Sequence, residues 1–314
     1  MKVLLAGEGA IGQKHLQALQ RIEGVEVVGL AGGEEQATAR VAAENGIPHW
    51  SIGVDGFLDS PEIEAVVLAT PTPLHADQAV SCLQAGKHVL IEIPVAESLA
   101  DAERVATIAR EAERIAMVCH TRRFNPGHRW LHARIATAEF RLQHLLATTV
   151  FLRRENRNAL GQPRSWTDHL LWHHACHTVD LFVHQTGQEP DHVWALQGPI
   201  HPELGIAMDM SVGLANDGGA ICTLALSFNH DGPLGTRFCY IGDTGTYTAF
   251  YDDLKDGFGN EIDLGELNAI PDGIEVQDRE FVASILERRM PASTVSDIMP
   301  TMRTLDRLDR ALNR

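Results

Sequence analysis

Residues 2 to 6 form a short apolar strand pattern that runs straight into Gly7-Glu8-Gly9-Ala10-Ile11-Gly12, and a helical pattern through Leu16, Leu19 and Ile22 follows. A G-x-G-x-x-G at that junction leaves few options. Gly7 permits the tight turn, Gly9 lets a pyrophosphate approach the backbone, and Gly12 allows close helix–strand packing. The helix N-terminus then offers N–H groups to the anion. The context predicts the start of a dinucleotide-binding unit, with Gly7, Gly9, Ala10, Ile11 and Gly12 against the cofactor. The competing reading is a glycine-rich turn without a ligand.

Strand and helix patterns alternate over roughly the first 120 residues. Strands are expected at 25–30, 65–69, 88–91 and 116–120, with helices at 34–45, 75–85 and 99–112. Such alternation predicts an α/β fold, a doubly wound parallel sheet of the Rossmann kind. Beyond Arg122 the rhythm changes to a helix near 127–138, a strand near 145–153, a polar loop, and a His-rich helix near 167–186. Val193–Gln197, Met208–Leu214, Ala220–Phe228 and Arg237–Ile241 follow as strands at hairpin spacing. A C-terminal α+β domain with a largely antiparallel open sheet is expected. The domains divide as 1–121 and 122–314, with the C-terminal helices, 277–289 and 296–313, able to pack back on the first domain.

Across 314 residues, acidic side chains outnumber basic ones to give a net charge of −16, which repels nucleic acid and anionic lipid. No apolar run is long enough for a membrane span, and the N-terminus carries no secretory pattern. A cytoplasmic protein is expected. The five cysteines stand singly, without a Cys-x-x-Cys pair, so no zinc ribbon or redox centre is read from them.

After the second strand the chain reads Ala31-Gly32-Gly33 before Glu34, so no acid stands where the ribose hydroxyls are ordinarily read. No arginine or lysine stands there either. The amides of Gly32 and Gly33, with Arg40 farther on, leave room for a 2′-phosphate. The reading leans to NADP, with NAD as its competitor.

Thr70-Pro71-Thr72-Pro73-Leu74-His75 and Ala85-Gly86-Lys87-His88-Val89-Leu90-Ile91-Glu92-Ile93-Pro94 resemble the glucose-fructose oxidoreductase/inositol dehydrogenase family over nearly the whole chain. The resemblance implies that Thr70, Pro71, His75, Glu92 and Pro94 line the nicotinamide side of the cleft. Ile93 departs from the family, replacing the lysine used beside the reacting carbon. Longer blocks at 120–126, 163–174, 197–210 and 231–236 are similar to a branch of the family acting in bacterial protocatechuate catabolism. That branch oxidises, with NADP, the cyclic hemiacetal of a carboxylated semialdehyde to a pyrone dicarboxylate. Family likeness also implies a homodimer or larger homo-oligomer built on the second domain's sheet.

Oxidising a hemiacetal carbon requires a base for the hydroxyl proton while hydride leaves for nicotinamide. A neutral histidine suits this task. His177 matches the family's histidine and His173 replaces its aspartate, so His177 is expected as base with His173 assisting. On an α-helix His173, His177 and Asp180 share one face. Asp180 is expected near the substrate or orienting an imidazole, while His174 points elsewhere.

His169, His173 and His177 also fall at successive i+4 positions, but hydride transfer needs no Lewis acid, and no metal is expected. A dicarboxylate substrate entering an acidic protein needs arginines. Arg122 and Arg123 follow the last strand of the first domain, at the crevice where such sheets bind ligands. At least one should face the substrate, the other serving as an ion pair. Arg153, Arg154, Arg157 and Arg164 form a second supply, and Trp166 and Thr167 would wall the ring and donate a hydrogen bond. Two alternatives stay open: another oxidoreductase of the family, or a non-catalytic dinucleotide sensor.

Overall fold

A computed structural model describes residues 1–157, 161, 163–164, 166–270 and 272–313. Two compact units emerge, one built mainly of Met1–His120 with Ile274–Met299, the other of Thr121–Arg157, Pro163–Gly273 and Pro300–Arg314.

In the first unit six strands form one parallel sheet in the order β3-β2-β1-β4-β5-β6. They are β1 (Lys2–Ala6), β2 (Glu26–Gly32), β3 (His49–Ile52), β4 (Ala65–Leu68), β5 (His88–Ile91) and β6 (Ala116–Val118). Val3–Ala6 and Ala65–Leu68 are buried throughout. A parallel sheet covered on both faces gives such unbroken apolar runs. The unit's helices are α1 (Ala10–Leu19), α2 (Glu35–Glu44), α3 (His75–Gln84) and α4 (Leu99–Glu111). Strand β3 escaped the sequence reading because His49–Ile52 is only four residues long and largely exposed. The segment after α7 (Gly273–Leu286) runs beside β6, where Val118 N donates to Ser293 O at 2.8 Å and Val295 N to Ala116 O at 3.0 Å. That pairing covers an edge that would otherwise expose backbone groups.

In the second unit seven strands order as β13-β12-β11-β7-β10-β9-β8. These are β7 (Leu142–Val150), β8 (His192–Gln197), β9 (Asp209–Ala215), β10 (Ile221–Ser227), β11 (Gly235–Gly242), β12 (Thr246–Phe250) and β13 (Asp253–Asp256). Every pair is antiparallel except β7 with β10, which run parallel from Ile221↔His144 to Ser227↔Val150. The sheet is therefore mixed but largely antiparallel. Helices α5 (Pro126–Ala136), α6 (Cys176–Thr186) and α8 (Met299–Leu312) accompany it. Proline at the first turn starts α5, and Gly187 at φ +65° ends α6, a conformation that favours glycine.

The continuous α-helix expected at 167–186 is corrected. Helical structure begins at Leu170 and stays π-helical through Ala175 before α6 takes over. Side chains compete for the backbone amides at this start: His169 Nδ1 accepts the Leu171 N–H at 3.1 Å and His173 Nδ1 accepts the His169 N–H at 2.8 Å. Widened turns of this kind concentrate at functional sites. No described helix is long and apolar enough to cross a membrane.

Candidate active site

The cofactor end is assembled at the C-terminal edge of β1. Gly7 holds φ +111°, and a Cβ there would lie 2.3 Å from Ala69 O. A Cβ on Gly12 would lie 1.9 Å from Gly7 O, whereas one on Gly9 meets nothing within 4 Å. Two glycines are thus required for packing, while the third leaves open space at the start of α1. That start has neither a side-chain cap nor an acidic residue in its first turn. Its N–H groups suit a pyrophosphate. The cradle fits a dinucleotide, and Ala10 and Ile11 form its first helical turn.

Around the nicotinamide-side motifs, His75 is buried, with its ring nitrogens 2.8 Å from the carbonyl oxygens of Pro94 and Thr70. Burial pushes its pKa down. His75 thereby joins the segments carrying Thr70–Pro71 and Pro94 rather than presenting itself to solvent. Glu92 accepts the Ile93 N–H at 3.0 Å and pairs with His15 Nε2 at 3.0 Å. His15 Nδ1 pairs in turn with Asp278 at 2.9 Å. Burial opposes charge on His15, yet Asp278 and Glu92 raise its pKa well above the ordinary histidine value. His15, Glu92 and Cys119 bring ligand-type atoms within 4.8 Å of one another, the one such group found among the described residues. Both imidazole nitrogens in it already face carboxylates.

In the second unit the polar centre is Asp168, which had received no role from sequence. Its carboxylate accepts both terminal nitrogens of Arg153, Arg164 Nη2 at 2.8 Å, and pairs with His174 Nε2 at 2.8 Å. Burial opposes its ionisation, but the bonds from His174 and Arg153 hold the carboxyl below the ordinary range. Arg153 lies 4.3 Å over the Phe228 ring and Arg164 5.1 Å over Trp166. Two guanidinium groups share one carboxylate, and no second carboxylate pairs with either of them among the described residues. Moreover, Arg164 Nε is buried without a hydrogen-bond partner among the described residues.

Trp166 stacks on His173 with ring centres 5.3 Å apart and planes at 29°. Asn156 Nδ2 donates to Trp166 O at 3.0 Å and to Arg164 O at 3.3 Å, which holds both residues in place. Burial lowers His173 to a pKa of about 3, so its imidazole is neutral. Because Nδ1 accepts an amide N–H, the proton of the neutral ring sits on Nε2. Thr167, half-buried, separates Trp166 from Asp168, while Ser165 of the same block lies outside the described residues.

His173 belongs to the π-helical segment, and His177 and Asp180 to α6. His177 is half-buried. Asp180 is fully buried, accepts Arg123 Nε at 2.8 Å, Arg123 Nη2 at 2.6 Å and Thr301 Oγ1 at 3.0 Å, and is internal to the unit. Arg122 takes a different course. Its Nη1 donates to Asn125 Oδ1 at 3.2 Å, and its guanidinium lies 5.8 Å from the Phe238 ring centre and 5.6 Å from that of Tyr251. Burial lowers its pKa, and no ion pair to a carboxylate is found for it among the described residues.

Residues 1–120 match the model of the oxidoreductase family with the NAD-binding Rossmann fold, and residues 126–268 match the C-terminal model of bacterial oxidoreductases. The chain is 50% identical over 314 residues to a 4-carboxy-2-hydroxymuconate-6-semialdehyde dehydrogenase of Sphingobium sp., covering 100% of this chain and 99% of that protein. It is also 34% identical over 147 residues to a 1,5-anhydro-D-fructose reductase of Ensifer adhaerens, 47% of this chain and 44% of the other. Aldose-aldose oxidoreductase from Caulobacter crescentus, solved with glycerol, shares the fold at a TM-score of 0.88 and 19% identity, covering 100% of this chain and 97% of that one. Motifs, sheet topology and full-length similarity agree: the chain belongs to the glucose-fructose oxidoreductase/inositol dehydrogenase family and is a nicotinamide-dependent dehydrogenase.

Proposed function

We propose that this dehydrogenase oxidises the ring-closed hemiacetal of 4-carboxy-2-hydroxymuconate-6-semialdehyde to 2-pyrone-4,6-dicarboxylate, in the cytoplasm, within protocatechuate 4,5-cleavage. The observation that carries this reading is the surplus cation at Asp168. In a chain of net charge −16, Arg153 and Arg164 converge on a single carboxylate beside the Trp166–His173 stack, and Arg164 Nε has no hydrogen-bond partner among the described residues. A substrate carboxylate meets that need with charge and acceptor oxygens together. Full-length similarity to a dehydrogenase of this substrate supports the same choice.

A dinucleotide held by Gly7, Gly9, Ala10, Ile11 and Gly12 would supply the hydride acceptor for the hemiacetal carbon. His177 takes the hydroxyl proton as the ring carbonyl forms. His173, neutral with its proton on Nε2, serves as a donor that orients a ring oxygen, and Trp166 and Thr167 wall the ring. Arg164 and Arg153 engage one carboxylate, while Arg122 is the cation for the other. Arg123 and Asp180 preserve the fold around them. Absorbance of the reduced nicotinamide, followed with freshly ring-cleaved protocatechuate, tests this reading. Rapid turnover supports it. Tight dinucleotide binding without turnover rejects it and leaves another oxidoreductase of the family or a sensor.

A homo-oligomer paired through the outer face of the second unit's sheet forms part of the same proposal. Register aligns Trp194, Gly213, Thr223 and Leu146 across four strands of one face. Trp194, Leu196, Ile221 and Leu146 are all exposed on it. An apolar face of this breadth suits a second copy of the chain. Light scattering should report a multimer that Leu196→Lys weakens; a monomeric parent protein rejects the arrangement.

A further inference from the structure

We infer that Glu8 is the residue that selects the dinucleotide, and that it selects NAD over NADP. Glu8 occupies the first variable position of the glycine motif, yet its carboxylate reaches across to the end of β2. There Oε1 accepts the Gly33 N–H at 3.1 Å and the Glu34 N–H at 3.3 Å, and Oε2 lies 3.2 Å from Gly33 N. Thr38 Oγ1, which donates to Glu34 O at 2.6 Å, lies 3.4 Å from Oε1. Position 8 therefore supplies the acid missing from the end of the second strand, at the place where this fold reads the adenosine ribose.

Three features make that place hostile to a 2′-phosphate. First, the amides of Gly33 and Glu34, at the place where such a phosphate would sit, are already bonded to Glu8. Second, Glu34 adds a carboxylate that caps α2, accepting Gln36 N at 3.1 Å and Ala37 N at 2.7 Å. Third, position 32 cannot carry the arginine that would neutralise a phosphate: a Cβ on Gly32 would lie 1.8 Å from Thr38 Oγ1 and 2.6 Å from its Cγ2. Arg40, farther along α2, faces Glu44 at 3.9 Å. A carboxylate pair repels a phosphate, whereas Glu8 retains acceptor capacity for ribose hydroxyls. The inference rests on the dinucleotide site of the family and departs from the NADP expectation raised by the sequence.

Calorimetric titration tests it without turnover, using NAD⁺, NADP⁺, ADP-ribose and 2′-phospho-ADP-ribose against the parent protein and against Glu8→Gln and Glu8→Ala. The parent protein should bind NAD⁺ and ADP-ribose at least about tenfold more tightly than their 2′-phosphorylated counterparts. Both variants should narrow that ratio, chiefly by weakening the unphosphorylated ligands. Equal or tighter binding of the 2′-phosphorylated ligands by the parent protein overturns the inference. So does an unchanged ratio in variants whose thermal melting shows them folded. Should the variants not fold, the parent protein's ratio for the ADP-ribose pair still decides. Failure of all four ligands to bind would strike the dinucleotide site itself rather than the role of Glu8 alone.

Discussion

Arg123 closes on Asp180 through two hydrogen bonds, Nε to Oδ2 at 2.8 Å and Nη2 to Oδ1 at 2.6 Å, inside the second unit. Both side chains are buried, so removing one charge strands the other. Asp180→Asn should lower unfolding free energy by about 3–5 kcal/mol in urea titration. A variant that keeps its stability but loses substrate affinity would return Asp180 to the substrate.

Arg164 carries both a bond to Asp168 and an Nε without a hydrogen-bond partner among the described residues. Replacing it by glutamine should raise KM for the dicarboxylate by about tenfold and change kcat less. Steady-state kinetics separates the two parameters. A fall in kcat alone would place Arg164 in the chemical step instead.

His177→Ala should reduce kcat by about 10²–10⁴, the usual span for a lost general base, while calorimetry shows dinucleotide binding intact. His173→Gln should be milder, because its ring acts as a neutral donor. Reversal of that ranking would exchange their roles.

Stability should fall on acidification in a definite window. His173 has a folded pKa of about 3 against an ordinary value near 6.5, so the unfolded chain binds more protons between these limits. Its contribution is present above pH ~6.5 and is lost as pH falls toward ~3. Burial lowers His75 and His128 in the same sense. Melting temperatures of the parent protein and His173→Asn, measured across that range, should show a shallower acid slope in the variant; equal slopes would remove His173 as a contributor.

Gly12→Ala places a Cβ 1.9 Å from Gly7 O, against backbone that cannot swing aside. Dinucleotide affinity should fall at least about tenfold and the melting temperature with it. Retained affinity would show that the α1 start can shift without harm to the cradle.

Local chemistry made much of this protein legible. The turn at Gly7–Gly12, the parallel strands with unbroken apolar runs, and the hairpin spacing of the later strands all follow from patterns spanning a few residues. The π-helical start was hidden because it depends on which backbone amide His169 and His173 capture, and an α-helical pattern reads the same on paper. Asp168 was overlooked for a similar reason. Its partners Arg153, Arg164 and His174 come from separate turns of chain, and only their convergence distinguishes it from a solvated acid.

The amino-acid sequence by itself determined the dinucleotide-binding start, the change from a parallel sheet to a largely antiparallel one and the supply of histidines and arginines. Tertiary structure decided how those charges were spent. It paired Arg123 with Asp180, gathered two arginines on Asp168, and carried Glu8 to the amides of Gly33 and Glu34. The physical reason is that periodicity records only which face of an element is buried, whereas the partner of a charge depends on groups distant in the chain. Twenty-five residues separate Glu8 from Gly33, and folding of β1 and β2 into neighbouring parallel strands brings them into contact.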